Sequence, residues 1–261
     1  MIGGFIGIWY LLSVMTVDTE VIERDAILDR IRALVDGAAS EVALSVPHTA
    51  LPELEATLSA AVDRGLLVLV LVWDPPHDER SERELPSLAN CSTVARRSED
   101  IAPVFCCVDN ERGLIGNGSS ITGDSPDDVV GTFDFQEVAH GFYRDFVTNF
   151  WMFASEIHAA DVPDLPATYD GIRQAVTNVA LCLRDDVAIR CRATGHDPET
   201  GAERTVDGRV LNVHQRMVYP ASSSLPIENS ILVEDDGRHW IGGPHAVLEN
   251  LAADRLLLRR A

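Results

Sequence analysis

Lysine is absent from this chain, so all 21 of its basic side chains are arginine. They are outnumbered by 41 aspartate and glutamate residues, which gives a formal net charge of -20. An acidic surface repels the phosphates of nucleic acids and of anionic lipids unless basic residues cluster locally. The only adjacent arginines are Arg96 with Arg97 and Arg259 with Arg260, which form no basic stripe. The composition therefore argues against a nucleic-acid-binding face.

The missing lysine also indicates a salt-rich cellular environment. Complete replacement of lysine by arginine, together with a pI of 4.6, is typical of a protein from a salt-loving cell. A heavily hydrated acidic surface keeps such a protein soluble in concentrated salt. A GC-rich genome, which favours arginine codons, would explain the missing lysine but not the acidic excess. Both causes can act together.

Motifs of common chemistry are missing as well. The sequence has no G-x-S-x-G nucleophile elbow and no Walker-type G-x-x-x-x-G-K, and the segment Gly116 to Ser120 favours a turn. An odd number of cysteines without a C-x-x-C pair supports neither a disulfide framework nor a zinc ribbon. We expect the five cysteines to be reduced and partly buried: Cys91, Cys106, Cys107, Cys182 and Cys191.

An apolar run opens the chain, from Met1 to Met15. It is shorter than the ~20 residues that a membrane-spanning helix needs. It also lacks the positively charged start of a signal peptide. A misplaced gene start or a remnant of a lost upstream domain is our first interpretation. A buried strand or helix comes second, and a membrane anchor third.

Helical and strand-like patterns alternate through the first part of the chain. Such alternation predicts an α/β domain with a parallel or mixed sheet and helices packed on it. The predicted helices are 21–35, 51–64 and 133–155, and the predicted strands are 41–46, 66–73 and 104–109, with a turn-rich hairpin or strand edge at 113–121. The last helix carries a core-facing aromatic stripe, formed by Phe142, Phe146, Phe150 and Phe153.

The pattern changes after Asp161. The segment Asp161 to Pro166 contains two prolines, which is typical of a linker between domains. After it, 172–183 predicts either one helix or a pair of strands, and everything from Val187 onward predicts strands. The predicted strands are 187–193, 206–218, 230–233 and 238–241, the last two joined by an acidic turn. A smaller β-rich domain is therefore expected to follow the α/β domain.

Two histidines and a carboxylate lie close together near the end of the chain. His239, His245 and Glu249 are a zinc-compatible set. Against a metal site, Gly242 and Gly243 predict a turn, and the H-E-x-x-H spacing of zinc proteases is missing. A metal-dependent hydrolase is therefore the last of our interpretations.

The stretch from Asn229 to Glu249 is also equipped to hold hydroxyl groups. The Asn229 amide offers a donor and an acceptor, and the Glu249 carboxylate offers two strong acceptors. The glycines at 242 and 243 allow backbone amides to approach a ligand closely. A neutral sugar is recognised by such donors and acceptors beside an aromatic or aliphatic platform. The plain alternative is a capped turn, a hairpin and a solvated carboxylate.

Several stretches, in order, resemble one known family. The quoted stretches are ILDRIRALVDGAASEVALSVP, AAVDRGLLVLVLV, DNERGLIGNGSS, NFWMFASE and the segment from Asn229 to Glu249. They are similar to the C-terminal region of the TrmB family of archaeal sugar-responsive transcriptional regulators, particularly its haloarchaeal branch. The resemblance covers roughly residues 20–261. It implies a chain that lacks the family's N-terminal winged helix-turn-helix.

The resemblance also implies a domain organisation. Residues 20–160 would form a phospholipase D-like domain, and 161–261 a β-rich effector-binding domain. Residues 1–19 would be an apolar leader, left by truncation or by a gene-start artefact. Enzymes of the phospholipase D-like fold require an H-x-K pair, which a chain without lysine cannot supply. The first domain is therefore expected to be non-catalytic.

Individual sugar contacts follow from the same resemblance. They fall on four residues that match the family: Ser155, Asn229, Gly243 and Glu249. Two positions differ, because Pro244 and Ala246 stand where the sugar-binding family member has methionine and tryptophan. The tryptophan is the usual stacking platform. Trp240, on the neighbouring predicted strand, is its candidate replacement.

These observations predict a cytoplasmic, non-enzymatic sensor that needs no cofactor and no metal. It would bind a small sugar or sugar-like effector in a groove between its two domains. It would pair as a homodimer, or as a heterodimer with related regulators, and would itself bind neither nucleic acid nor membrane. The alternatives are a degenerate dimerisation module that modulates intact paralogues, a membrane-tethered sensor, and the metal-dependent hydrolase.

Overall fold

The computed structural model describes residues 18–21, 24–74, 87–122, 129–225 and 227–261. The apolar run from Met1 to Met15 lies outside these residues, whereas Asp18 and Thr19, assigned to the leader above, belong to the first described strand. The chain divides into two compact units between Ile157 and His158. None of the described helices is long and apolar enough to span a membrane.

The first unit is built on an eight-stranded mixed sheet. Its strands are β1 (Asp18–Val21), β2 (Glu41–Pro47), β3 (Leu67–Trp73), β4 (Val94–Ser98), β5 (Val104–Val108), β6 (Arg112–Gly116), β7 (Val129–Asp134) and β8 (Ser155–Ala159). They lie in the order β1-β7-β6-β5-β2-β3-β4-β8. Strands β2, β3 and β4 are parallel, whereas β5, β6, β7 and β1 join by antiparallel pairs. Every residue of β2 and β3 is buried, as expected of central strands.

Five α-helices accompany this sheet within the described part of the first unit. They are α1 (Arg24–Asp36), α2 (Leu51–Asp63), α3 (Leu88–Cys91), α4 (Ser119–Thr122) and α5 (Gln136–Asn149). Helix α1 contacts β5 and β6, α2 contacts β3, and α5 contacts β6 and β7. The apolar stripe of α1 includes Ile27, Ile31 and Val35, all fully buried, which is why this segment forms an amphipathic helix.

The turn-rich segment near Gly113, predicted as a hairpin or a strand edge, begins in the second strand of the antiparallel β5–β6 hairpin. Strand β6 lies inside the sheet, between β5 and β7. A Cβ atom at Gly113 would lie 2.0 Å from the carbonyl oxygen of Cys106 on β5. The glycine is therefore required by the close approach of two strands.

The long helix predicted over 133–155 is wrong at both ends. Phe133 belongs to β7, and Ser155 is the first residue of β8. The aromatic rings of Phe133 and Phe142 pack with centroids 5.1 Å apart, so the strand and the helix bury aromatic residues against each other. Similar apolar residues on both sides of the strand-to-helix turn produced one continuous helical pattern.

The aromatic stripe of that helix is only half confirmed. Phe142 and Phe146 are buried, and Phe146 stacks on Phe105 of β5 at 5.2 Å. Phe150 is half-buried and Phe153 is 77% exposed. The stripe stops because α5 ends at Asn149 and a short 3₁₀ turn follows, which changes the direction of the side chains.

The second unit is β-rich, as predicted. Its elements are β9 (Ala167–Tyr169), α6 (Ile172–Arg184), β10 (Ile189–His196), β11 (Glu203–His214), β12 (Ser230–Glu234), β13 (Arg238–Gly242) and β14 (Leu251–Arg260). The order is β10-β11-β12-β13-β14-β9, and β10 also pairs with β14, so five strands close on themselves. Helix α6 resolves the ambiguity of its segment, and it contacts β9, β11, β12 and β14. The predicted fold class, a mixed sheet with flanking helices followed by a smaller β-rich domain, is confirmed.

All five cysteines are buried free thiols, as expected from their number and spacing. Burial raises the pKa of Cys106 and of Cys191 to about 12, and that of Cys91 to about 11. Thiols with such pKa values stay protonated near neutral pH and are poor nucleophiles. The cysteines therefore act as small core residues.

Candidate functional site

Four of the five residues that the sequence predicts as ligand contacts lie in the second unit. Strands β12 and β13 form an antiparallel hairpin in which Ile231 pairs with Ile241. Asn229 directly precedes β12 and Gly243 directly follows β13, each two residues from this pair. The register therefore places both at the same end of the hairpin.

The Asn229 side chain is only partly satisfied. Its Nδ2 donates a hydrogen bond to the carbonyl oxygen of Ile227 at 3.0 Å. Its Oδ1 is buried and accepts no hydrogen bond from any residue of the described ranges. A buried acceptor without a partner is costly, so such an atom is a natural contact for a ligand hydroxyl.

Glu249 approaches the same hairpin end through the segment between β13 and β14. A Cβ atom at Gly242 would lie 2.9 Å from Cδ of Glu249 and 2.7 Å from Cβ of Ala246. Gly242 thus leaves room for the returning loop. A Cβ atom at Gly243 would lie 2.8 Å from Cγ2 of Ile172, the first residue of α6. The two glycines are therefore needed for packing, whether or not their amides also contact a ligand.

Asn250 holds this loop in place, and sequence reasoning gave it no role. Its backbone amide donates to the carbonyl oxygen of Trp240, and its Oδ1 accepts from the Trp240 amide, both at 2.8 Å. Two exposed apolar side chains precede Glu249 on the loop, Val247 at 79% and Leu248 at 93% exposure. Exposed aliphatic groups next to a carboxylate suit a ligand with both apolar and hydroxyl surface.

Trp240 is half-buried on β13 and stacks on a residue that the sequence analysis missed. Its indole lies against the imidazole of His214, with ring centroids 4.0 Å apart and an interplanar angle of 31°. His214 ends β11, where it pairs with Ser230 of β12. It therefore lies one strand away from Asn229. Nothing in the spacing of 26 residues between His214 and Trp240 signals this contact.

A carboxylate and a hydroxyl orient His214. Nδ1 of His214 lies 2.7 Å from Oε1 of Glu228, and Oγ of Ser223 donates to the other oxygen of the same carboxylate. Burial alone would raise the pKa of Glu228, but the hydrogen bonds from Ser223 and His214 outweigh it and lower that pKa. Glu228 is thus held as a carboxylate between two side chains.

Ser155 belongs to the first unit. The family resemblance placed it near the end of a long helix, but it is the first residue of strand β8 and its side chain is exposed. Its sheet neighbour is β4. The structure thus gathers Asn229, Gly243, Glu249 and Trp240 within one unit and places Ser155 at a sheet edge of the other.

The zinc-compatible set is not brought together as a site. His239 is engaged elsewhere, with Nε2 at 3.0 Å from Oδ1 of Asp236 and Nδ1 at 3.2 Å from the guanidinium of Arg204. Among the residues that the structure describes, no three histidine, cysteine, aspartate or glutamate side chains are arranged to hold a metal ion.

Two open cavities lie away from the predicted residues. The first, of about 670 Å³, lies in the first unit beside Arg30, Arg112 and Phe133. The second, of about 500 Å³, lies in the second unit beside Arg204 and Asp254. No residue predicted as a ligand contact lines either cavity. The hairpin end therefore stands as a candidate site on its polar and aromatic groups alone.

Comparisons with solved structures find matches at low identity. TrmBL2, described as an archaeal chromatin protein with a novel mode of DNA binding, is 15% identical, with a TM-score of 0.42. The match covers 59% of this chain but only 58% of TrmBL2. Nuc, a phospholipase D family member from Salmonella typhimurium, is 19% identical over 55% of this chain and 99% of its own, with a TM-score of 0.40. NucT from Helicobacter pylori is 9% identical over 54% and 99%, with a TM-score of 0.42.

No curated protein matches the chain. Two protein-family models do match the chain, one in each unit. Residues 20–158 match the N-terminal subdomain of the effector-binding domain of the transcriptional regulator TrmB. Residues 164–261 match the C-terminal subdomain of the effector-binding domain of TrmB and TrmBL1. The chain therefore belongs to the TrmB family of transcriptional regulators, and it carries both subdomains of the family's effector-binding domain.

Proposed function

We propose that this chain is the sensing portion of a TrmB-like regulator and that its effector is a small neutral sugar or sugar-like metabolite. The effector would bind at the end of the β12–β13 hairpin, through Asn229, Gly243 and Glu249. Trp240 would serve as the stacking platform. The observation that carries the proposal is the buried, unpartnered Oδ1 of Asn229 at this hairpin end.

The chemistry of the proposed contacts fits hydroxyl groups. A sugar hydroxyl can donate to Oδ1 of Asn229 and to the carboxylate of Glu249, both of which are acceptors. The indole of Trp240 offers an apolar face to the C–H groups of a sugar ring. Trp240 thereby takes the role of the tryptophan that Ala246 replaces.

The charge of the site selects against anionic ligands. Glu249 lies at the hairpin end, and Glu228 lies directly before Asn229 in the chain. A phosphate or carboxylate on the ligand would be repelled by these side chains at short range. A neutral sugar carries no such penalty, so glucose or maltose suits the site better than a sugar phosphate.

The remaining parts of the proposal concern the whole protein. A chain without lysine lacks the H-x-K pair of phospholipase D-like enzymes, so it would act as a sensor and not as an enzyme. The sensor would act in the cytoplasm. Its charge of -20 suits solubility in concentrated salt and opposes direct binding to DNA. It would act on transcription by pairing with a second copy or with a related regulator. The effector shifts that pairing by binding one of its states more tightly.

Calorimetry tests the proposal. The purified chain is titrated in molar KCl with glucose, maltose and glucose 6-phosphate, alongside the variants Asn229→Ala and Asn117→Ala. Asn117 is exposed in the first unit and serves as the matched control. We expect heat of binding from at least one neutral sugar and less heat from glucose 6-phosphate. Asn229→Ala should raise the Kd for the sugar about tenfold, and Asn117→Ala should leave it unchanged.

The same titration separates the competing function. If no neutral sugar produces heat, the sensor proposal fails and the chain is best described as a dimerisation module. The replacement of the family's methionine and tryptophan by Pro244 and Ala246 is the observation that favours this second candidate. Light scattering of the same samples then shows whether the chain self-associates.

A further inference from the structure

The histidine behind Trp240 has one nitrogen whose role is determined and one that remains for a ligand. A carboxylate accepts hydrogen bonds and cannot donate them. Because Glu228 is held as a carboxylate, Nδ1 of His214 must carry the proton in their 2.7 Å hydrogen bond. In the neutral ring, Nε2 is then an acceptor. Within the described ranges, no residue forms a hydrogen bond with this Nε2.

The position of His214 puts that acceptor beside Trp240, the proposed stacking platform. His214 ends β11 and pairs with Ser230 of β12. Its ring contacts Trp240 at 4.0 Å, so one side of the indole is already covered by the imidazole. The His214 and Glu228 side chains are 30% and 28% exposed, so solvent and ligands reach this pair.

We propose that His214 is a further effector-binding residue, whose Nε2 accepts a hydrogen bond from a hydroxyl group of the sugar. Its ring also supports the indole of Trp240 from behind. Glu228 and Ser223 are positioning residues, which set the tautomer and the orientation of the imidazole. This inference rests on the proposed function, and it specifies that the effector presents a hydroxyl donor beside the face that stacks on Trp240.

A purely structural role for the pair makes a different prediction. If His214 only filled space against Trp240, a phenylalanine at position 214 would preserve sugar binding. If Nε2 accepts a hydroxyl proton, phenylalanine keeps the ring contact but loses the acceptor. The loss would then be confined to sugars that carry the hydroxyl in question.

The experiment combines variants with deoxy sugars. Calorimetry in molar KCl measures Kd for glucose and for each monodeoxyglucose, using the native chain, His214→Phe, Glu228→Gln and His239→Gln. His239 is the matched control, because it precedes Trp240 on β13, lies 3.0 Å from the carboxylate of Asp236 and points to the other face of the strand. The Glu228→Gln variant retains an acceptor for Nδ1 but loses the charge.

We expect His214→Phe to raise Kd for glucose about tenfold and His239→Gln to leave it unchanged. One deoxy sugar should bind the native chain about tenfold more weakly than glucose does. His214→Phe should bind this deoxy sugar and glucose with equal affinity. Glu228→Gln should give an intermediate loss. Tryptophan emission should change on sugar addition in the native chain and in His239→Gln.

Three results would decide against parts of this picture. Equal glucose affinity in the native chain and His214→Phe overturns the inference and leaves the proposed function standing. If every deoxy sugar loses the same affinity relative to glucose in the native chain and in His214→Phe, the direct contact is overturned. No sugar binding by the native chain overturns both. If His214→Phe does not fold, as judged by circular dichroism, the comparison of native chain, Glu228→Gln and His239→Gln decides the matter.

Discussion

Each of the two units contains a half-buried carboxylate whose pKa is lowered, and the partners of these carboxylates differ. In the first unit, burial alone would raise the pKa of Asp109. The backbone amides of Ala39, Ser40 and Glu41 and the hydroxyl of Ser40 outweigh that effect by donating to it. In the second unit, Glu228 receives its hydrogen bonds from two side chains, Ser223 and His214.

The difference separates a structural role from a functional one. Asp109 ties the β5–β6 turn to the start of β2, because most of its donors are backbone amides whose positions are set by the fold. Glu228 instead orients the His214 side chain, which in turn contacts Trp240. The same balance of burial and hydrogen bonding thus stabilises a fold in one unit and prepares a candidate ligand contact in the other.

The largest effect is expected at Gly113 in the first unit. In Gly113→Ala, the new Cβ would lie 2.0 Å from the carbonyl oxygen of Cys106, which is backbone and cannot move aside without shifting β5. We expect a loss of about 3 kcal/mol in the free energy of unfolding, measured by urea denaturation in molar KCl. Gly141→Ala, an exposed helix position with open space around the new Cβ, is the control and should be neutral or stabilising. Equal stability of the two variants would contradict the packing argument.

Removal of the Asp109 carboxylate should have the next largest effect. Asp109→Ala leaves several backbone donors without their acceptor, at a cost of about 2 kcal/mol in the free energy of unfolding. The exposed Asp100→Ala is the control. Glucose affinity should not change in either variant, since Asp109 belongs to the first unit and is not among the proposed effector contacts. A loss of affinity in Asp109→Ala without loss of stability would break the comparison between the two carboxylates.

The same carboxylate predicts a dependence on pH. The folded pKa of Asp109 lies below its ordinary value of about 3.9. Its contribution to stability is therefore fully present above that pH and is lost as the pH falls through the folded pKa. Urea denaturation from about pH 6 to about pH 3 should show the native chain approaching Asp109→Ala in stability. A constant difference across this range would show that the charge of Asp109 is not what stabilises the turn.

The smallest stability effect, with a clear effect on binding, is expected at Gly242. In Gly242→Ala, the new Cβ meets the side chains of Glu249 and Ala246, which belong to a loop and can move. We expect a stability loss under about 1 kcal/mol and about a tenfold weaker sugar affinity, because Glu249 is displaced. Calorimetry and denaturation on the same sample separate the two quantities. Gly237→Ala, at the other hairpin end, is the control, and weaker binding there would place the site elsewhere.

Local patterns predicted much of the fold. The spacing of Ile27 and Ile31 predicted α1, and the continuous apolar run after Gly65 predicted the buried strand β3. The pattern failed where one apolar segment crossed an element boundary. Phe133 and Phe142 both face the core, one from a strand and the other from a helix, and burial alone does not distinguish them.

The candidate site was predicted only in part. Asn229, Gly243 and Glu249 came from the family resemblance, and the hairpin register then placed the first two at one end. The contact of His214 with Trp240 could not be predicted, because it depends on how three strands align. A shift of one residue in either register would have turned one of these side chains to the opposite face.

The sequence by itself determined the acidic, lysine-free surface, the reduced cysteines and the change from an α/β to a β-rich part. These properties depend on composition and on local periodicity. Only the tertiary structure decided which polar groups of the second unit's candidate site lack a protein partner within the described ranges, among them Oδ1 of Asn229 and Nε2 of His214. The physical reason is that a hydrogen-bond partner can come from any part of the chain, so its presence or absence is known only once the strands are paired.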